Sequence, residues 1–286
     1  MMLFYDLSKR FLLTVISLVV AFGLLVFSST PFVAAAVLLL LLGLVGVALW
    51  EYARIVGVDR EKKSLVVLIA LGEAVCLSFF LSALTVRLAT LPIACLVGGA
   101  LCLFALRLRA IEGASAVITK GFFGLCYIAV PLGLLSLMLY GEYGGGYLGN
   151  NKWNLAYLIL VTKSADIGAY LGGRLWGKRA LAPRLSPKKT IEGALIGWGT
   201  SLIVSVGVVW VARHFCGGAC SLWSALALGG VLGVVGQVGD LAESLFKREA
   251  GVKDSNRLPG FGGILDMLDS LLFTTPAFYL FLAAVN

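Results

Sequence analysis

Residues 32–55 read FVAAAVLLLLLGLVGVALWEYARI, and from Phe32 to Trp50 the run holds no charged residue. A helix of about 20 apolar residues rises far enough to cross roughly 30 Å of hydrocarbon. Lipid offers no partner for backbone N–H and C=O groups, so a run of this kind satisfies them internally as a helix. Similar runs flank it on both sides. The sequence predicts spans near 11–28, 32–55, 65–83, 89–106, 121–140, 153–173, 190–212, 223–245 and 264–285, with Pro92 interrupting the fourth. No stretch alternates with the two-residue period of a membrane β-barrel. The expected fold is all-α: a polytopic transmembrane helix bundle of about nine spans.

Composition and charge agree with that fold. The chain is 60% hydrophobic and 13% charged, against about 25% charged in an ordinary soluble domain. Lys9 and Arg10 precede the first apolar run, as they would in a signal peptide. The run is long for such a segment and a second span follows at once, so it reads as a retained helix with a cytoplasmic N-terminus. The net charge of +8 suggests nucleic acid only until its distribution is examined. With the N-terminus inside, 19 of the 23 basic residues fall in inward segments; Arg87, Lys152 and Arg213 fall outside and Lys163 lies within a span. That asymmetry is the positive-inside rule, so the basicity is topological and no nucleic-acid partner is expected. Cys76, Cys95, Cys102 and Cys126 read as small packing residues. Cys216 and Cys220 share an outward loop with His214, and packing and a short disulfide both remain open there.

The polarity divides the chain. Residues 1–150 are apolar spans on short loops and read as a transmembrane scaffold. Residues 151–286 carry charged residues in the spans and longer basic loops, and read as a catalytic region. Two glycine motifs there and nearby mislead. Gly144 to Gly149 fits the letters of a dinucleotide fingerprint but lies in a loop between two spans, not between strand and helix. Gly172 to Lys178 fits most of a P-loop, but Arg179 stands where Ser or Thr is needed.

Three segments carry chemistry. Lys163 and Asp166, three apart inside a span, share a helix face; intramembrane ionisable residues mark function or an internal pair, and both readings stand. Ser186-Pro187-Lys188-Lys189-Thr190 reads as a helix start: a hydroxyl cap, then a residue with no N–H to lose. Its free amides and paired lysines suit phosphate, with a juxtamembrane anchor for anionic lipid as the other reading. Further on, Asp240, Glu243, Ser244 and Lys247 form one helical stripe. Gly230, Gly233, Gly236 and Gly239 precede or border it and let another backbone or a ligand approach closely. Asp266 and Asp269 share a face early in the last span. Asp240, Asp266 and Asp269 are expected to converge at the inner membrane surface as hard oxygen ligands suited to Mg²⁺.

These segments resemble the phosphatidate cytidylyltransferase (CDP-diacylglycerol synthase) family. The similar stretches are Asp166-Ile167-Gly168-Ala169-Tyr170, Leu181 through Gly193, and Ser244 through Asp269, which ends in Pro-Gly-x-Gly-Gly-x-x-Asp-x-x-Asp. The resemblance implies transfer of CMP from CTP to phosphatidic acid, in a bacterial-type cytoplasmic (inner) membrane with the active site facing the cytoplasm. It implies that Asp240 and Asp266 hold a metal pair supported by Asp269: Mg²⁺, with a second divalent or monovalent cation. Ser186, Lys188, Lys189 and Thr190 would meet nucleotide phosphates. Lys247, Arg248 and Lys253 would neutralise the lipid phosphate or leaving pyrophosphate, and Asp166, Glu192, Ser244 and Asp254 would contact substrate. Phe261 stands where the family usually has His, and Met267 where it usually has Arg, so no role of an imidazole or guanidinium carries over. Membrane lipids are obligate partners, and a homodimer is compatible with such a bundle although no segment compels it. A CTP-dependent lipid-alcohol or polyprenol kinase and an ion-coupled transporter are the rival functions.

Overall fold

The computed structural model describes residues 23–59, 61–108, 112–141, 145–216, 220–252 and 263–285. These form helices α1 (Pro31–Val56), α2 (Lys62–Leu84), α3 (Leu91–Arg107), α4 (Ala114–Gly124), α5 (Val130–Tyr140), α6 (Asn151–Trp176), α7 (Ile191–Cys216), α8 (Leu222–Glu249) and α9 (Ile264–Val285). One two-stranded hairpin, β1 (Ala180–Ala182) with β2 (Ser186–Thr190), stands between α6 and α7. Among the described residues, seven helical segments are long and apolar enough to cross a membrane: α1, α2, α3 with its leading turn, α4 through α5, α7, α8 and α9. The protein is an all-α polytopic membrane bundle.

Local chemistry explains where the elements differ from expectation. Pro92 opens α3 instead of interrupting it, because the first turn of a helix has no partner for the N–H that proline lacks. The span expected at 121–140 begins earlier, at Ala114, and contains a π turn at Leu125–Ala129 just before Pro131. An interior proline cannot accept a regular turn below it, and the widened turn absorbs the mismatch. The segment expected to span at 153–173 is helical as α6, capped by the Asn150 side chain accepting from Trp153 N at 3.0 Å. Lys152, Lys163, Asp166 and Arg174 leave it outside the set apolar enough to cross by composition. It is held instead by its protein neighbours, with Tyr157, Leu158 and Val161 fully buried. Of the span expected at 11–28, residues 11–22 lie outside the described residues, as do Lys9, Arg10 and the Cys216 side chain.

The expected helix start at Ser186-Pro187 is overturned. Ser186–Thr190 is a strand paired antiparallel with Ala180–Ala182, and the helix begins at Ile191. Proline without an N–H is as well suited to an edge strand as to a first helical turn. The cap moves to Thr190, whose Oγ1 accepts from Gly193 N at 3.1 Å. Glu192 closes the hairpin by accepting from Lys178 N (2.9 Å) and Arg179 N (3.1 Å).

Two close backbone approaches place the functional end of the bundle. A Cβ on Gly193 would lie 2.7 Å from the Ala169 carbonyl oxygen, so α6 and α7 meet at a distance only glycine permits. A Cβ on Gly239 would lie 2.6 Å from the Asp269 carbonyl oxygen, which brings α8 onto α9 beside Asp240. The glycine face of α8 is therefore covered by helices and not open to a ligand: Gly233 faces Ser201 of α7, and Gly239 faces α9. Around these contacts a continuous core joins α1, α2, α5, α6, α8 and α9, with Tyr52, Met138, Tyr157 and Phe278 buried in it.

Candidate active site

At the end of α6, the hairpin, the start of α7 and the middle of α8 enclose a cavity of about 460 Å³. Asp166, Tyr170 and Arg174 reach it from α6, Lys188, Lys189 and Thr190 from β2, and Gln237 and Asp240 from α8. The helical members follow from periodicity: 166, 170 and 174 lie one turn apart on one face, as do 237 and 240. Gln237 Nε2 donates to Ala194 O at 2.9 Å and fixes α8 against the first turn of α7. Lys189 Nζ forms an ion pair with Asp240 Oδ2 across the cavity. Arg248 Nε donates to Leu185 O at 3.0 Å and ties the end of α8 to the hairpin turn.

Asp240 belongs at once to this cavity and to a carboxylate cluster behind it. One oxygen each of Asp240, Glu243 and Asp269 lies within 4.8 Å of the others. Glu243 is 1% exposed and Asp269 7%. Lys247 Nζ bridges Glu243 Oε2 (2.7 Å) and Asp266 Oδ1 (2.8 Å). Asp266 Oδ2 accepts from Gly263 N at 3.0 Å, capping α9. Asp240 thus pairs with Lys189, Glu243 and Asp266 pair with Lys247, and Glu243 Oε1 is buried with no hydrogen-bond partner. Beside them Lys163 Nζ donates to Asp166 Oδ2 (3.2 Å), Met267 O (3.0 Å) and Ser270 Oγ (3.0 Å), while Ser270 Oγ donates to Asp166 Oδ2 at 2.8 Å. The pair read from the sequence is formed, and it joins α6 to α9.

Of the expected trio, two members converge in this cluster and the third lies beside it. Asp269 and Asp240 converge, but Asp266 turns to Lys247 and the backbone of its own helix start, and Glu243 takes the third place in the cluster. Among the other candidates, Asp166, Lys188, Lys189 and Thr190 share the cavity. Glu192 and Arg248 spend their hydrogen bonds on the hairpin, and Ser186 lies in β2 outside the cavity lining. Ser244 is buried in α8. Lys253, Asp254 and Phe261 lie outside the described residues. Met267 is on α9, half-exposed, its carbonyl taken by Lys163. Glu243 lies on the acidic stripe of α8, where helical spacing alone puts it one turn from Asp240. Gln237 and Arg174 were legible as helical neighbours of Asp240 and Asp166, whereas Ser270 carried no signal short of the packed structure.

The model of the cytidylyltransferase family matches residues 8–285. A phosphatidate cytidylyltransferase of Synechocystis sp. is 33% identical over an alignment of 298 residues that covers 96% of each chain. One of Chlamydia trachomatis is 40% identical over 158 residues, 55% of this chain and 52% of that protein. One of Staphylococcus haemolyticus is 48% identical over 123 residues, 43% of this chain and 46% of that protein. In the chlamydial and staphylococcal matches the chain spans about half the length of its relative. With a family model matched along nearly all of its length and a relative aligned end to end, the chain belongs to the cytidylyltransferase family.

Proposed function

We propose that the chain is a phosphatidate cytidylyltransferase, joining CMP from CTP to phosphatidic acid and releasing pyrophosphate. The observation that carries this reading is Asp240, which faces a lysine-lined cavity on one side and a buried carboxylate cluster on the other. A cavity of about 460 Å³ lies within the ~300–1,000 Å³ of small-molecule sites. In it Lys188, Lys189 and Arg174 offer positive charge, and Thr190 a hydroxyl, to a triphosphate.

Asp240, Glu243 and Asp269 fit a magnesium ion: the donors are hard carboxylate oxygens, they converge, and one buried oxygen lacks a partner. Mg²⁺ bound there would supply charge neutralisation for phosphate oxygens drawn together at the site. The chain's own groups do the rest. Lys189, held by Asp240, points its ammonium at the cavity and orients the nucleotide. Lys247, fixed between Glu243 and Asp266, adds a second positive charge at the junction with α9. Such charges act strongly where water is scarce and dielectric is low.

The nucleophile is a phosphate oxygen of phosphatidic acid. A phosphomonoester has a second pKa near ~6 and is anionic around neutral pH, so no side-chain base is required. The single histidine, His214, lies at the opposite end of α7 against Trp210. The oxygen attacks the α-phosphorus of CTP in line. A bond forms to that phosphorus while the bond to the bridging oxygen breaks, and its electron pair leaves with pyrophosphate. The acyl chains stay in the lipid around the bundle. The basic ends of the helices, including Lys62, Lys63, Arg107, Lys120, Arg174, Lys247 and Arg248, lie at the cavity's end of the bundle, which supports a cytoplasmic active site. Bacterial relatives support the inner membrane as its location. CTP labelled at the α- or the γ-phosphate, with phosphatidic acid and Mg²⁺, separates the functions: α-label in the lipid extract supports CMP transfer. γ-label in lipid would instead make the protein a kinase, and no label in lipid would remove both.

A further inference from the structure

Glu51 is a carboxylate in the middle of the apolar half of the chain, fully buried near the end of α1. Charge in such a place is costly unless it is hydrogen-bonded. Its oxygens reach across 213 positions of sequence to the start of the last helix. Oε1 accepts from Ile264 N at 3.1 Å and Oε2 from Leu265 N at 2.8 Å. These amides are donors that a helix start leaves without an intrahelical partner, and the positive end of the helix dipole favours a carboxylate there. Together with Asp266, which takes Gly263 N, carboxylates hold three successive amides at the head of α9.

The helix so held carries Asp266 and Asp269 in its first two turns. A bidentate grip fixes both the height and the rotation of that helix start, and rotation decides whether Asp269 faces Asp240 and Glu243. The same stretch of α1 also touches α8: the Tyr52 ring meets the Phe246 ring edge-on at 6.3 Å, one turn beyond Glu243. We propose that Glu51 is a positioning residue of the scaffold half, setting the register of α9 on which the carboxylate cluster depends. The catalytic consequence rests on the proposed CMP transfer; the structural one does not. The two amides that Glu51 holds belong to α9, whereas β2 and the start of α7 line the cavity, so nucleotide binding is expected to be insensitive to it.

The test compares full-length wild-type protein with Glu51→Gln, in which one amide nitrogen would face a backbone N–H. Hydrogen exchange by mass spectrometry reads the helix directly, and steady-state kinetics read the site. The expected result is exchange at residues 263–270 accelerated tenfold or more, with α6 and α7 unchanged. Turnover falls at least tenfold while the KM for CTP stays within about twofold. Wild-type exchange at the head of α9 would overturn the assignment. So would a loss of protection spread through α6 and α7 with kcat and KM failing together, which marks a residue of general stability. If wild-type protein transfers no CMP, the proposed function fails, yet the exchange comparison still decides the role of Glu51. Should Glu51→Gln not be recovered folded, Glu51→Asp carries the same comparison. Faster exchange confined to 263–270 supports the role, and either unchanged or general exchange removes it.

Discussion

Adding one methyl group at Gly239 tests whether the α8–α9 contact sets the carboxylate geometry. In Gly239→Ala the new Cβ would sit 2.6 Å from the Asp269 carbonyl oxygen and 3.2 Å from Phe273 Cβ, where ordinary contact begins at 3.4 Å. The first obstacle is backbone and cannot rotate aside, so the two helices must part by about 0.8 Å on that geometry. Asp240 is the next residue and Asp269 owns the obstructing carbonyl, so the parting acts on the cluster itself. A misplacement of about 1 Å costs on the order of 10²-fold in rate, equal to about 2.7 kcal/mol of transition-state stabilisation. Overpacking a well-filled contact costs a further ~1–3 kcal/mol of fold stability. The assay is α-labelled CMP incorporation into lipid by purified protein, with thermal unfolding measured in parallel. Gly236→Ala is the internal control, since its Cβ would meet Thr274 Cγ2 at 3.5 Å, an ordinary contact. Activity is expected to fall about 10²-fold in Gly239→Ala and to stay near wild type in Gly236→Ala. Equal activity in both would refute the idea that this contact sets the cluster.

Three further substitutions separate the parts of the site. Glu243→Gln keeps the shape of the side chain but replaces one carboxylate oxygen of the cluster by an amide nitrogen; turnover is expected to fall by about 10²–10³, as for loss of one preorganised electrostatic group. Unchanged turnover would remove Glu243 from the cluster's chemistry. Asp266→Asn is expected to abolish turnover while the protein still inserts and folds, because Lys247 loses a charged partner; wild-type activity in that variant would take Asp266 out of the site. Thr190→Val deletes the hydroxyl that caps α7, and thermal unfolding is expected to register a loss of about 1 kcal/mol. Its KM for CTP is expected to rise with little change in kcat, and a normal KM would separate the cap from nucleotide binding.

Most of the fold was legible because hydropathy and charge are local signals. The runs around 32–55 and 264–285 and the one-sided basic residues need no tertiary information. The Lys163–Asp166 pair was legible for the same reason, since three-residue spacing on a helix forces neighbours together. The hairpin was not. Ser186-Pro187 serves a helix cap and an edge strand equally, and the decision came from Ala180–Ala182 offering a partner strand and Glu192 bracing the backbone of Lys178 and Arg179. The acidic cluster was legible as a set of residues but not as an arrangement. Spacing placed Asp240 with Glu243 and Asp266 with Asp269, but which acid turned toward Lys247 depended on how α8 seats on α9. The Glu51 contact with Ile264, joining positions 213 apart, left no trace in spacing at all.

Product identity tests the central claim most directly. Purified wild-type protein given CTP, phosphatidic acid and Mg²⁺ is expected to yield CDP-diacylglycerol and pyrophosphate in equal amounts by mass spectrometry, and Asp240→Asn to yield neither. CDP with a phosphorylated lipid, or full product from Asp240→Asn, would contradict the account.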